Sequence, residues 1–198
     1  TKGYQPQIGF LFELGLVLED EFREGNIPAS ANAVNFLERC LAAMPYGKYI
    51  GYLRSGSAFY QAGVMNPCFE HNRLFTITAD QDKAVKETIK AIKEEDWQPY
   101  QRDRQIAETI HTMNDTREAF RLIIIRWPKL QAELFDSSPY FYHAIATNRE
   151  EEAKEVIKLH NRRGEVENYI KELKNGFGME WMPCGESYAN AIFFKIGV

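Results

Sequence analysis

Leu159–Lys174 reads LHNRRGEVENYIKELK, and the rest of the chain is best understood as the frame that holds it. Arg163 follows His160 by three positions, Glu167 follows Arg163 by four, and Lys174 follows Glu167 by seven. At about 100° per residue a helix gathers these four side chains within an arc of roughly 60°. Leu159, Val166, Ile170, Leu173 and Phe177 fall on an adjoining apolar stripe suited to packing on a core. Arg162, Glu165, Asn168 and Glu172 take the far, solvent side. A helix that buries one edge and carries mixed charge along its border can present chemistry to a cleft. It can equally carry a solvated Arg163–Glu167 ion pair worth a few tenths of a kcal/mol, about 0.3, and periodicity alone favours that plainer reading.

Composition bounds the possibilities. A chain of 198 residues suits one domain with a sizeable core and room for an inserted lobe. The 44% hydrophobic and 26% charged content is that of an ordinary globular protein. A net charge of −4 supplies no global pull toward nucleic acid, so any DNA contact must come from a local patch. Cys40, Cys68 and Cys184 are odd in number and widely spaced, which argues against a disulfide framework or a zinc site and fits a reducing cytoplasm. No apolar run approaches a membrane span and TKGYQPQIGF is not a signal peptide, so no membrane partner is expected.

Along the chain, residues 8–14 and 16–22 predict two strands meeting at Gly15, with Phe10, Phe12 and Leu14 on one face. Glu19, Asp20, Glu21 and Glu24 crowd the second, where charges protect an exposed edge more readily than they bind metal. Residues 33–44 predict a helix through Val34, Leu37 and Leu41. A strand at 49–54 follows, then a helix at 57–69 interrupted near Pro67, and a buried strand at 74–79. Residues 80–93 form a helix with Val85, Ile89 and Ile92 inward and Asp80 or Asp82 near its cap. Residues 105–113 and 118–127 predict a hairpin across Asn114-Asp115, and 140–147 a further strand. Residues 98–129 hold six Lys/Arg against four Asp/Glu, a weak excess, and their aromatics suit a lobe core. Asn148 looks like an N-cap, with Glu150, Glu151 and Glu152 favourable to the dipole of the long helix that Gly176 and Gly178 stop.

The spacing of His160, Arg163, Glu167 and Lys174 resembles the signature of DDE transposases of bacterial insertion sequences, in the branch with tyrosine, arginine, glutamate and lysine at these intervals. GFLFELGLVLEDEFREGN (9–26), LRSGSAFYQAGV (53–64), FTITADQD (75–82) and ENYIKELKNGFGMEWMPCGESYANAIFF (167–194) extend the resemblance over nearly the whole chain. It implies an α/β fold, a ribonuclease-H-like mixed sheet flanked by helices, with a β-rich insertion before the catalytic helix. The expected division is 1–96 for the core lacking its first strand, 97–139 for the insertion, and 140–198 for the elements completing the core. With one strand added upstream, the strand and helix order is consistent with that fold. Both ends look cut, so the chain is expected to be a fragment or a decayed gene copy.

The resemblance further implies cleavage and joining of double-stranded DNA at transposon ends by metal-dependent phosphoryl transfer, in a bacterial, nucleoid-associated cytoplasmic setting. Carboxylates would hold two Mg²⁺ ions, which demand hard oxygen ligands. Glu167 is the implied catalytic and metal ligand; Arg163, Lys171 and Lys174 would meet DNA phosphates, and His160, at the family's tyrosine position, is expected to contact DNA with them. The family's second aspartate falls on Gly56, which has no side-chain oxygen, and the first would lie upstream of residue 1. Ser55 and Ser57 are poor substitutes, and Asp80 is more simply a helix cap. The expectation is a transposase core that is inactive as it stands; the alternative is a non-catalytic DNA-binding or assembly module, with a homodimer open. His71, His111 and His143 lack ligand spacing, no GxSxG elbow is present, and Trp97, Trp127 and Trp181 suit core or lobe junctions.

Overall fold

The computed structural model describes residues 3–129 and 138–198, and the chain divides into two compact units. One unit is Gly51–Asn161; the other comprises the residues up to Ile50 together with Arg162–Val198.

The continuous unit is built on a six-stranded mixed sheet. Its strands are β3 (Tyr52–Ser55), β4 (Leu74–Thr78), β5 (Gln98–Pro99), β6 (Gln105–His111), β7 (Phe120–Pro128) and β8 (Tyr140–Thr147), in the order β3-β4-β8-β7-β6-β5. β3 and β4 run parallel with Ser55 opposite Ile77, while every other pairing is antiparallel. The apolar run Leu122–Ile125 explains the placement of β7. All four residues are buried, which only a strand covered on both faces can achieve. The hairpin expected at 105–127 is present as β6–β7, and its inner strand, β7, also pairs with β8.

Helices cover both faces of this sheet. α2 (Ala62–Glu70) and α3 (Lys83–Ala91) bring Val64, Met65, Cys68, Val85 and Ile89 onto one face, where Phe69 meets Phe75 edge-on at 5.5 Å. On the other, α4 (Ala153–Asn161) places Ala153, Val156 and Ile157 against Ile106, Ile123, Ile125 and Ile145. α2 retains Pro67 within it, and a short 3₁₀ turn at Ser57–Phe59 precedes it, so the single helix expected over 57–69 is two pieces. Asp82 caps α3 by accepting from the Val85 N–H at 2.8 Å. Asn148 is not a cap. Its amide instead accepts from the Phe75 N–H and donates to the Arg73 carbonyl, tying the end of β8 to the start of β4.

The discontinuous unit carries β1 (Gln7–Leu11) and β2 (Leu16–Glu21), an antiparallel hairpin with a bulge at Gly9/Phe10 and Gly15 at φ +65° in its turn. Leu14 lies in that turn and is 66% exposed, so the expected Phe10–Phe12–Leu14 face stops short of it. α1 (Ala33–Ala42) buries Ala33, Phe36, Leu37 and Cys40, a stripe displaced by one position from the expected Val34–Leu37–Leu41. Gly9 is required here by close approach, since a Cβ would stand 2.4 Å from the Cys40 sulfur. The acids of β2 prove to be ion-pair partners. Arg39 of α1 bridges Glu19 and Glu21, and Asp20 pairs with Lys195 of α6 (Ser187–Gly197). Arg23 is 4% exposed and donates to the Gln5 and Ala31 carbonyls, at 3.0 Å each, clamping the loop that follows β2.

α3 is pinned to β6 by Thr88 and His111, whose Nδ1 lies 2.9 Å from the Thr88 hydroxyl while its ring packs edge-on against Phe120. Burial holds the His111 pKa below its ordinary 6.5, with the Asp82 charge opposing more weakly. The unfolded chain therefore takes up a proton near pH 6.5 that the folded chain refuses. Stability must fall as pH drops through that value and level off below the folded pKa. Urea unfolding between pH 8 and pH 5 should show this slope in the wild type and a shallower one in His111→Asn; equal slopes would refute the assignment.

Candidate functional site

The four signature residues do not share one helix. α4 ends at Asn161, and α5 (Gly164–Asn175) begins after a tightened turn in which the Glu165 N–H reaches the Arg162 carbonyl and the Val166 N–H reaches that of Arg163. Arg163 keeps helical dihedrals, φ −55° and ψ −31°, so the backbone is tightened to i→i+3 bonding at this point. Gly164, costing about 1 kcal/mol relative to alanine in a helix interior, is the local reason for the break.

His160 sits on α4 and is 2% exposed. Its Nε2 lies 3.0 Å from the Thr78 hydroxyl and its Nδ1 3.0 Å from that of Thr76, both on β4. The His143 ring stacks beside it at 6.1 Å. The expectation of His160 as a DNA contact is corrected accordingly: a ring sealed against β4 has no edge to offer a phosphate, and it works instead to dock α4 on the sheet. Arg54 of β3 joins the same lock by donating to the Leu159 carbonyl at 2.7 Å. Thr76, Thr78 and Arg54 escaped sequence reasoning because their roles depend on which strand lies under α4.

Arg163 stands at the N-cap of α5, and Glu167, Lys171 and Lys174 lie on that helix, which has no fully buried residue. Val166, Ile170 and Leu173 are half-buried, and Phe177, expected on the same stripe, is 63% exposed. The helix packs instead through Tyr169 on Phe10, with ring centroids 4.9 Å apart, while Arg162 lies over Phe12. The Glu167 carboxylate accepts from Arg163 at 3.2 Å with its side chain 62% exposed. This is the plain i,i+4 pair, and at that exposure it contributes little to stability.

Gly56 closes β3 with φ −81° and ψ −177°, extended backbone that any residue adopts. Nothing in the main chain requires glycine there. Beside it, the Ser55 hydroxyl and the Tyr60 hydroxyl are buried without a hydrogen-bond partner among the described residues. Burial pushes the Tyr60 phenol up, with the charges of Asp82 and Asp80 adding to the effect. Asp82 provides the α3 cap, so Asp80 is an exposed carboxylate leaving the same end of the parallel β3–β4 pair as Gly56. No group of three or more His, Cys, Asp or Glu side chains able to hold a metal ion occurs among the described residues. The Cys40 and Cys68 thiols are pushed up to about 11 by burial, which removes them as nucleophiles.

A model of a known family, Transposase DDE domain group 1, matches residues 1–196, nearly the full chain. The chain belongs to that family of DDE transposase domains, and its six-stranded mixed sheet between helices is a ribonuclease-H-like architecture. A search of curated proteins finds no match. Membership carries a transposase-type function and divalent-metal use. Among the described residues the carboxylates do not gather into a site for that metal. Gly56 has no side-chain oxygen, and Glu167 is turned to Arg163.

The His160 lock has a measurable cost. His160→Leu takes a hydrogen-bond partner from the Thr76 and Thr78 hydroxyls, of which Thr76 keeps Tyr52, and should lower unfolding free energy by about 1–3 kcal/mol. It should leave DNA affinity unchanged. A fall in affinity without loss of stability would restore His160 as a contact residue.

Proposed function

We propose that this chain is a transposase catalytic domain, of the type found in bacterial insertion sequences, that holds duplex DNA without cutting it. The observation that carries the proposal is Gly56, an extended β3 terminus with no ligand oxygen where the family places a carboxylate. Glu167 is the remaining family carboxylate, and no step through Mg²⁺ follows from one ligand of a two-metal site. DNA would lie along α5, with Arg163, Lys171 and Lys174 toward its phosphates. Segment 97–139 would act as the insertion between the core portions 1–96 and 140–198. Its setting would be the nucleoid-associated cytoplasm of a bacterium; among the described residues no helix is long and apolar enough to cross a membrane.

A second reading, an assembly module, is favoured by the exposed apolar face of α6, where Tyr188 and Ile196 are each at least 80% exposed and Ile192 is 45% exposed. Sedimentation separates the two readings: concentration-dependent dimers with no DNA affinity would select assembly.

Three phosphate contacts imply a slope of log K against log[salt] of about −2.7, reduced by about 2 in Arg163→Ala/Lys174→Ala. A gel-shift titration over salt checks this, and an unchanged slope would remove α5 from the interface. In Mg²⁺ or Mn²⁺ an end-containing duplex should remain intact; nicking that Glu167→Gln abolishes would overturn the loss of activity. Gly56→Asp should fold with stability equal to or above wild type by up to about 1 kcal/mol, since it limits the unfolded chain at an unstrained position. A loss on thermal unfolding would show that the site has closed around glycine.

A further inference from the structure

Asparagine is followed by glycine at one place in the chain, Asn175-Gly176; every other asparagine precedes a residue whose side chain crowds the next peptide nitrogen. Glycine is a structural requirement here, because a Cβ at 176 would stand 2.9 Å from the Glu172 carbonyl oxygen. Asn175 is the last residue of α5 and Gly176 its C-cap, and both are exposed. The Glu172 carbonyl accepts from the Gly176 N–H at 2.7 Å and from the Phe177 N–H at 3.2 Å. Helix ends fray, and such local openings cost little free energy. Opening this last turn releases the Gly176 nitrogen beside the Asn175 side-chain amide.

The loop beyond is pinned across the same dipeptide. The Met179 N–H reaches the Leu173 carbonyl at 3.1 Å and the Glu180 N–H reaches that of Lys174 at 3.3 Å, with Gly178 reversing the chain at φ +68°. Met179 is 7% exposed and fills the space over Gly197 of α6, where a Cβ would overlap its methyl group. The length of backbone between Leu173 and Met179 therefore decides where Met179 lands.

We propose that Asn175 is a site of spontaneous deamidation. With its hydrogen bond open, the Gly176 nitrogen attacks the Asn175 side-chain carbonyl carbon. The new C–N bond closes a succinimide ring, the bond to the side-chain nitrogen breaks, and the glycine proton ends on the departing ammonia. Water opens the ring at either carbonyl, leaving aspartate or isoaspartate, so the net change converts amide and water to carboxylate and ammonium. Either product sets a negative charge at the C-terminus of α5, against its dipole. Isoaspartate also routes the main chain through the side-chain carbon. The added backbone atom lies between Leu173 and Met179 and unseats Met179 from Gly197.

The test ages the full folded chain in mildly alkaline buffer beside chain unfolded in urea, then digests both with trypsin, which cuts after Lys174. Deamidation is read by mass, and isoaspartate by enzymatic methylation with a labelled methyl donor. Asn175 should convert ahead of every other asparagine in the folded chain. Conversion should run several-fold faster in urea, where α5 no longer holds the Gly176 nitrogen. Asn175→Gln, which must close a larger ring, should lose the label. Earlier conversion at Asn114, which is also exposed, or an Asn175 that survives folded through many urea lifetimes would overturn the site. Asn175→Asp adds the charge without the extra backbone atom, so the isoaspartyl fraction should unfold at a lower temperature than this variant. Equal midpoints would overturn the coupling to Met179.

Discussion

Burial of β7 on both faces is the constraint on which the continuous unit depends. Leu122, Ile123, Ile124 and Ile125 are each at most 3% exposed, so successive side chains along one strand fill two separate layers. One layer meets α4 through Ile123 and Ile125. β8 and β6 must flank β7 to satisfy its backbone, because an unpaired peptide group inside either layer would cost about 1–3 kcal/mol. The remaining strands extend outward from that pair, with β4 on β8 and β3 on β4.

Elements dictated by local pattern were legible from residue types. Tyr140–Thr147 has the limits its apolar and aromatic run predicts, and Asp82 caps α3 as an aspartate before an amphipathic stretch should. Failures came where distant residues decide. Asn148 has the residue type and position of an N-cap, yet it hydrogen-bonds across to β4, because β8 delivers it beside Arg73 and Phe75. The acids at Glu19–Glu21 looked like edge protection, and only the packing of α1 and α6 brings Arg39 and Lys195 to them.

The candidate site was legible as a motif and less so as geometry. A helical arc drawn from His160 to Lys174 assumes unbroken periodicity, and Gly164 interrupts it. The outcome is a division of labour within one signature: His160 belongs to the packed interior of the sheet unit, whereas Arg163, Glu167 and Lys174 sit on an exposed helix. Spacing preserves the residue identities without preserving their environment. Gly56 is the complementary case, where backbone conformation is ordinary and only the side chain departs from the aspartate that the resemblance implies.

The interrupted unit has a consequence for synthesis. Asn190 is wholly buried, donating to the Tyr4 hydroxyl and the Cys184 carbonyl, and Phe194 lies against Phe22. The hairpin therefore lacks its covering until α6 has followed it from the ribosome, more than 160 residues later. At roughly 5–20 residues per second, the apolar side of β1 and β2 waits for many seconds while Gly51–Asn161 already has every strand and helix it needs. The order of assembly on the ribosome is thus the middle of the chain first and its two flanks together afterwards. The nascent hairpin is the segment most in need of a chaperone's shelter.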